Sequence, residues 1–460
     1  MEPAATEQRW GHRYAFLLAA TASAVGLGNI WKFPYVLGEN GGGAFLLVYL
    51  AAIAAIGVPV MMAEVMIGRR GRHSPGYAAR RVARETGARE AWQVVGWLGL
   101  ASAFLIMSFY VVIAGWSLAY VGKAASGQFA GADADQVAAI FASMTANPGE
   151  MILWTSVAVI GAFVIVGFGL RRGLERGVRI LMPLLLLLLL VTTLISLAVG
   201  DPSKAFAFMF RPDFSALDMG AVLIAIGQAF FTLTLAAGVL MMFGAYLPSD
   251  SSIARTAVGV ALADTLIAII AGIAIFPVVF GFGLDPAEGP GLMFQTLPLS
   301  LSAVPAGVLL ATLFFVMLSV ASFSTMITNV QAFVHLLEER LHLNRWVAAS
   351  GCGVAIWLLS LATVFSFTGA GWAQLEWSIL GREVTNVFEL VEHLSINVLL
   401  PLGGLLIAVF VGWVIKPDIS REEIATGPVA YHVWRLFLRY VAPLAIALVF
   451  LQLTGLIPGA

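Results

Sequence analysis

Three observations predict an all-α integral membrane protein of eleven transmembrane helices, built as a 5+5 inverted repeat in which the first and sixth helices are broken. The chain of 460 residues is 60% hydrophobic and 11% charged, against about 25% charged in an ordinary soluble domain. Apolar runs of the length that spans a bilayer, roughly 20 residues, recur eleven times along it. Two of those runs, the first and the sixth, are interrupted by glycines and polar side chains.

The runs fall near 14–38, 43–68, 91–122, 149–169, 178–199, 219–247, 254–283, 304–337, 346–368, 386–415 and 432–456. The first is too long for the apolar stretch of a signal peptide and lacks a small-residue cleavage site, so no cleaved leader is expected. Cys352 is the single cysteine, which excludes an intrachain disulfide. The net charge of −1 gives no electrostatic case for nucleic acid.

The distribution of charge orients the chain. With the N-terminus inside, twenty of the 25 Lys and Arg residues fall on the cytoplasmic side, among them Arg69, Arg70, Arg72, Arg80, Arg81, Arg84 and Arg89. Only Lys32, Lys123, Lys204, Arg211 and Arg382 remain outside. Short loops obey the positive-inside rule, so the N-terminus is expected in the cytoplasm and the C-terminus outside. The expected organisation is one domain over 1–460, with a cytoplasmic N-terminus at 1–13, a first repeat at 14–199, a second at 219–415 and an eleventh helix at 432–456.

The first interruption is Ala22-Ser23-Ala24-Val25-Gly26-Leu27-Gly28-Asn29-Ile30-Trp31-Lys32-Phe33-Pro34. In hydrocarbon every backbone N–H and C=O needs a partner, so a glycine-weakened turn at membrane depth is tolerable where it is buried in protein or lines a site. The second, Gly227 to Gly238, lies in the sixth run. Each interrupted run is the first of five, and five is odd, so the second set starts from the opposite side of the membrane as an inverted copy. Paired interruptions in such halves point to a transporter's substrate site. The alternative is that these glycines simply let membrane helices pack closely.

The run Ala24 to Tyr35, followed by Glu39-Asn40-Gly41-Gly42-Gly43-Ala44-Phe45, closely resembles the first-helix signature of the neurotransmitter:sodium symporter family. The resemblance extends to Gly57-Val58-Pro59 with Glu64 and Gly68, to Gly227-Gln228-Ala229-Phe230-Phe231-Thr232, and to Leu399-Leu400-Pro401-Leu402-Gly403-Gly404. It implies a LeuT-type fold, which is itself the reference case for the inverted-repeat rule, and coupling of sodium entry to uptake of amino acids or amines. Many members have twelve spans, whereas eleven are read here.

The resemblance implies two sodium ions. Sodium is a hard cation and takes oxygen ligands, which an unwound helix supplies through freed carbonyls. The first site would use the Ala24 carbonyl, Asn29, Thr232 and a carboxylate of the substrate itself. The second would use the carbonyls of Ala22, Val25 and Ala321 with the hydroxyls of Ser324 and Thr325. Alternatively, Ser324 and Thr325 bond back to their own helix. Asp264 is a carboxylate at membrane depth, where insertion costs at least about 2.5 kcal/mol. The family comparison has it replace the chloride charge of animal relatives and join the first sodium site; an ion pair is the alternative.

The substrate is expected between the two breaks. Helix-end N–H groups of Leu27 and Gly28 can receive a carboxylate, Tyr110 matches a tyrosine whose hydroxyl donates to it, and Phe231 would close as a lid. Amine transporters of the family carry an acid at the Gly26 position, so Gly26 implies a substrate that brings its own carboxylate. Ile106, Thr234, Ala237, Thr325 and Asn329 would surround the substrate side chain, and Ala24 and Thr232 would line the substrate site as well as the first sodium site. Ala237 leaves space and Asn329 offers an amide, which implies a larger or partly polar side chain; Asn329 satisfying a buried backbone group is the alternative.

Gates follow by the same resemblance. Lys32 and Glu392 stand where an Arg and an acid close the outside, and Lys cannot make the planar bidentate pair that Arg makes. Trp10, Tyr246 and Glu339 match a cytoplasmic lock, but Glu7 stands where the lock's Arg is usual. Gly173 and Pro183 resemble a motif that lets the fifth helix unwind, with a plain proline kink as the alternative.

The resulting expectation is sodium-coupled uptake of an amino acid by alternating access, independent of chloride, in a bacterial inner membrane. No catalytic residues and no nucleic-acid or obligate protein partner are implied. A β- or γ-amino acid or taurine-like solute, and a non-transporting sensor on the same fold, are the competing readings.

Overall fold

Residues 13–283, 286, 292–302, 307–379 and 382–453 are described by a computed structural model of the chain. Among them, nine helices are long and apolar enough to cross a membrane: Gly43–Gly71, Glu90–Ala125, Pro148–Gly167, Leu170–Val199, Ile253–Gly281, Gly307–Leu341, Arg345–Phe367, Val387–Val414 and Pro428–Gln452. Two of the eleven expected crossings are therefore not continuous helices, and they are the two whose sequences predict a break. The first is the pair Phe16–Ala24 and Gly28–Glu39, bent by 45°. The sixth is Met219–Thr232 and Val239–Ala245, joined by residues 233–238.

The sixth span breaks because its linker leaves the right-handed region. Thr234 (φ 53°), Ala236 (φ 61°) and Gly238 (φ 75°) all take positive φ, which costs a non-glycine residue about 1–2 kcal/mol. Contacts with two other spans hold the turn. Glu64 accepts from the Ala236 N–H, and the Thr234 hydroxyl donates to the Ser23 carbonyl at 2.9 Å. In the first span, the Gly26 N–H donates to Asn29 Oδ1 at 3.2 Å, so a polar side chain takes up part of what the broken ladder gives up.

Close backbone contact fixes the lower half of the sixth span. A Cβ on Gly68 would stand 1.8 Å from the Met241 carbonyl oxygen, and one on Gly244 would stand 2.4 Å from that of Val65. Gly68 and Gly244 therefore bring Gly43–Gly71 and Val239–Ala245 into reciprocal backbone contact, as small residues do between membrane helices.

The charged connections hold helices that the apolar pattern does not signal. The Arg-rich segment folds as Pro75–Thr86, with Ala78, Ala79, Val82 and Ala83 buried on one face. Arg69, at the end of its span, donates to Glu423 at 2.7 Å and to the Ser251 carbonyl at 2.6 Å. Arg70 reaches Glu85 through Nε at 3.0 Å and Glu422 through Nη1 at 3.0 Å. The fifth span starts earlier than the apolar run suggests, because its polar turn Leu170–Glu175 is already helical. The connection at 369–385 departs from the all-helical expectation with a short antiparallel hairpin, Gln374–Ile379 and Arg382–Asn386.

Candidate functional site

Asn29, Thr232 and Asp264 come from three spans and meet in the buried interior. Asn29 donates from Nδ2 to Asp264 Oδ1 at 2.7 Å and to the Asp264 carbonyl at 3.1 Å. The Thr232 hydroxyl donates to Asp264 Oδ2 at 3.0 Å. Among the described residues no Lys, Arg or His forms an ion pair with Asp264, so neutral donors rather than a counter-ion hold it. This buried carboxylate is costly without a cation or proton.

A second set of oxygens converges on Thr325. Its hydroxyl lies 3.3 Å from the Ala22 carbonyl and 3.2 Å from that of Val25, across the gap between Gly307–Leu341 and the first span. Ser324 instead donates to Ala321 of its own helix at 2.8 Å, the local bond that Ser commonly makes. Ala22, Val25 and Thr325 are thus brought together, while Ala321 and Ser324 pair with each other on the helix that carries Thr325. The donor set is oxygen only, which fits a hard cation.

Between the two breaks lies a cavity of about 40 Å³, lined in part by Ala24, Leu27, Gly28, Ile106, Tyr110 and Phe231. Thr234, Ala237, Thr325 and Asn329 complete its polar and small-residue wall. Thr232, expected at the substrate as well as at the ion, is not on that wall; it turns to Asp264. The volume suits a few waters. The Leu27 N–H donates to the Tyr110 hydroxyl at 3.4 Å. A Cβ on Gly28 would stand 3.2 Å from the Phe231 ring, over which Lys32 Nζ sits at 4.4 Å from the centroid.

Several contributors carry no distinctive signal in the sequence. Gln228 donates to the Gly28 carbonyl at 3.1 Å, tying the two broken spans together. Ser23, Ala103 and Leu400 also line the cavity, beside Gly26, whose place at the substrate the family resemblance implied. Small and apolar lining residues carry no signal that separates them from ordinary helix packing. Gln228 was visible as a polar residue in an apolar run, but its partner was not.

The sodium:neurotransmitter symporter family matches residues 7–140 and 134–454. An uncharacterized sodium-dependent transporter of Bacillus subtilis is 35% identical, over 98% of this chain and 98% of its own. The chain belongs to the sodium:neurotransmitter symporter family. A second uncharacterized sodium-dependent transporter, from Haemophilus influenzae, is 32% identical over 97% of this chain and 98% of its own. The crystal structure of MhsT in complex with L-phenylalanine superposes with a TM-score of 0.87 at 42% identity, covering 97% of this chain and 99% of that one. The fold is that of the LeuT-type transporters, and the family consists of transporters rather than enzymes, with sodium as the coupling ion.

Of the gate residues that the symporter family implied, Trp10 lies outside the described residues, as does Glu7. Glu392 lies in Val387–Glu392 at the start of its span. The Tyr246 ring packs edge-on against His335, with centroids 5.3 Å apart. Glu339 takes partners the sequence did not name: the Ser74 N–H at 2.8 Å and His73 Nδ1 at 2.5 Å. A Cβ on Gly173 would stand 1.9 Å from the Ile165 carbonyl, so packing alone requires glycine there. Pro183 sits inside the fifth span.

Proposed function

We propose that this chain takes up an amino acid by alternating access, driven by two sodium ions and without chloride. The observation that carries the reading is the meeting of Asn29, Thr232 and Asp264 beside a small cavity between two broken spans. In this reading Ala24, Asn29, Thr232 and Asp264 bind the first sodium, and Asp264 supplies the negative charge that chloride gives in animal relatives. Ala22, Val25, Ala321, Ser324 and Thr325 bind the second. The substrate carboxylate meets the N–H groups of Leu27 and Gly28 and the Tyr110 hydroxyl, and completes the first sodium site. Ion and solute are thereby linked through one shared ligand.

The L-phenylalanine of the MhsT complex supports an amino-acid substrate, and Gly26 leaves no acid in the cavity to pair with an amine. Lys32 with Glu392 closes the outer side, Trp10, Tyr246 and Glu339 the inner side, and Gly173 with Pro183 loosens the fifth span. The arginine distribution supports a cytoplasmic N-terminus and a C-terminus outside, in a bacterial inner membrane. The test is uptake of a radiolabelled amino-acid panel into proteoliposomes under an inward sodium gradient. Accumulation that needs sodium and not chloride is expected; saturable binding without accumulation would make the chain a sensor.

A further inference from the structure

We propose that the first turns of the fifth span hold the phosphate headgroup of an anionic phospholipid, through Arg172, Arg176 and Arg179 at the level where the bilayer hydrocarbon ends.

Between Glu150 and Asp201 the charged residues are Arg171, Arg172, Glu175, Arg176 and Arg179. Four cations and one anion are thus gathered into one short stretch of an otherwise apolar region. Glu175 is buried and pairs with Arg179 at 2.6 Å. Arg172 and Arg176 are exposed and make no ion pair among the described residues. The other Arg-rich segment differs, because Arg70 there pairs with Glu85 and Glu422, and Arg80 and Arg84 share Glu90. Those charges are answered within the protein, and Arg172 and Arg176 are not.

The depth of these arginines follows from the helix. The twenty residues 180–199 carry no charge and measure about 30 Å as a helix, the thickness of a bilayer's hydrocarbon core. Arg179 is the next residue beyond them. Trp346 is exposed and meets Phe168 edge-on at the same end, with centroids 5.1 Å apart, as aromatic side chains do at a membrane interface.

Their direction follows as well. Ile180, Leu187, Leu190 and Leu194 are each more than half exposed and recur with exposed Pro183 at helical spacing, so they form the stripe that faces lipid. Arg176 lies one turn before Ile180 on that stripe, Arg172 one turn before Arg176, and Arg179 three residues on from Arg176. The stripe that meets acyl chains therefore runs straight into the three arginines.

One molecule suits both parts. A guanidinium matches phosphate oxygens with paired N–H donors, and each basic residue near an anionic membrane surface strengthens the attraction about fivefold. A soluble acidic partner that met the arginines would leave the apolar stripe uncovered. A phospholipid covers the stripe with its acyl chains and meets the arginines with its headgroup. A headgroup that bridges Arg172 and Arg176 also spans the turn Leu170–Glu175, and binding there holds that turn helical.

The test is hydrogen–deuterium exchange of the full chain in two kinds of nanodisc, one of phosphatidylcholine alone and one of phosphatidylcholine and phosphatidylglycerol in equal parts. Amides of residues 170–179 should exchange about tenfold more slowly in the discs that contain phosphatidylglycerol, while those of Pro75–Thr86 exchange equally in both. The double variant Arg172→Gln with Arg176→Gln should lose the difference, and Arg89→Gln should keep it. Equal exchange at 170–179 in the two lipids overturns the inference, as does a difference that the double variant retains. Slowing of equal size in Pro75–Thr86 would be a general surface effect and overturns the site. Slowing by free glycerol phosphate added to phosphatidylcholine discs overturns the lipid as occupant in favour of a soluble anion. The lipid comparison on the unaltered protein decides even where the double variant fails to fold.

Discussion

Asn29 holds Asp264 twice, by a 2.7 Å bond to its carboxylate and a 3.1 Å bond to its backbone carbonyl. One amide thus orients both the charge and the helix that bears it. The carboxylate's other partner is the Thr232 hydroxyl at 3.0 Å.

Asp264→Asn removes the negative charge and keeps the shape. Uptake by this variant should become responsive to external chloride, measured by exchanging chloride for gluconate at fixed sodium. Unchanged indifference to chloride would reject the assignment of that charge. Asn29→Ala and Thr232→Ala should each weaken sodium dependence by leaving Asp264 short of a donor.

Gly26→Ala tests the crowding at the first break. Its new methyl would stand 2.2 Å from Thr325 Oγ1 and 2.8 Å from the Tyr110 hydroxyl. Overpacking of this kind costs about 1–3 kcal/mol, so sodium affinity should fall by about tenfold or more. A sodium titration of uptake equal to that of the parent would show that the break yields freely.

Glu64→Ala tests the second break. The Ala236 N–H would lose its acceptor while the backbone keeps its positive φ, a cost of about 1–3 kcal/mol. The thermal midpoint in detergent should drop, and Glu64→Gln, which keeps an acceptor oxygen, should drop it less. Equal midpoints for the two variants would show that the carboxyl does not hold the turn.

Glu85 tests the charged network at the end of the second span. The Arg70 guanidinium beside it holds its carboxyl below the ordinary glutamate value of 4.5. A carboxylate whose pKa is lowered on folding adds stability above the unfolded pKa, and loses it as pH falls through the folded one. The pair is partly exposed, at 23% and 37%, so its worth is discounted to about 0.5–1 kcal/mol. Glu85→Gln should lower the midpoint slightly at pH 7 and not at all well below pH 4.5. A difference that persists there would mean that packing, not charge, is at work.

Legibility in the sequence followed cost. Asp264 could be read because a carboxylate at membrane depth is expensive, the family resemblance implied Asn29 and Thr232 beside it, and the structure brings these three together. The breaks at Gly26 and at 233–238 were legible for the same reason. Ala103 and Leu400 were not, since a small or apolar residue on a cavity wall looks like one in a helix contact. His73 as the partner of Glu339 was hidden because a pairing between a connection and a distant helix end leaves no periodic trace. Pro75–Thr86 was read as charge, and its buried alanine face is too weakly hydrophobic to stand out among membrane spans.

The reciprocal glycine contact between Gly68 and Gly244 has a mechanical consequence. With backbone against backbone at both points, the second span and the lower half of the sixth have no layer of side chains to slide upon. They behave as one lever, and Glu64 on that lever grips the linker at Ala236. Rotation of the lever is then transmitted to the linker at 233–238, so the pivot of any opening motion falls where the cavity wall carries Thr234 and Ala237. The solute would rest against the hinge itself.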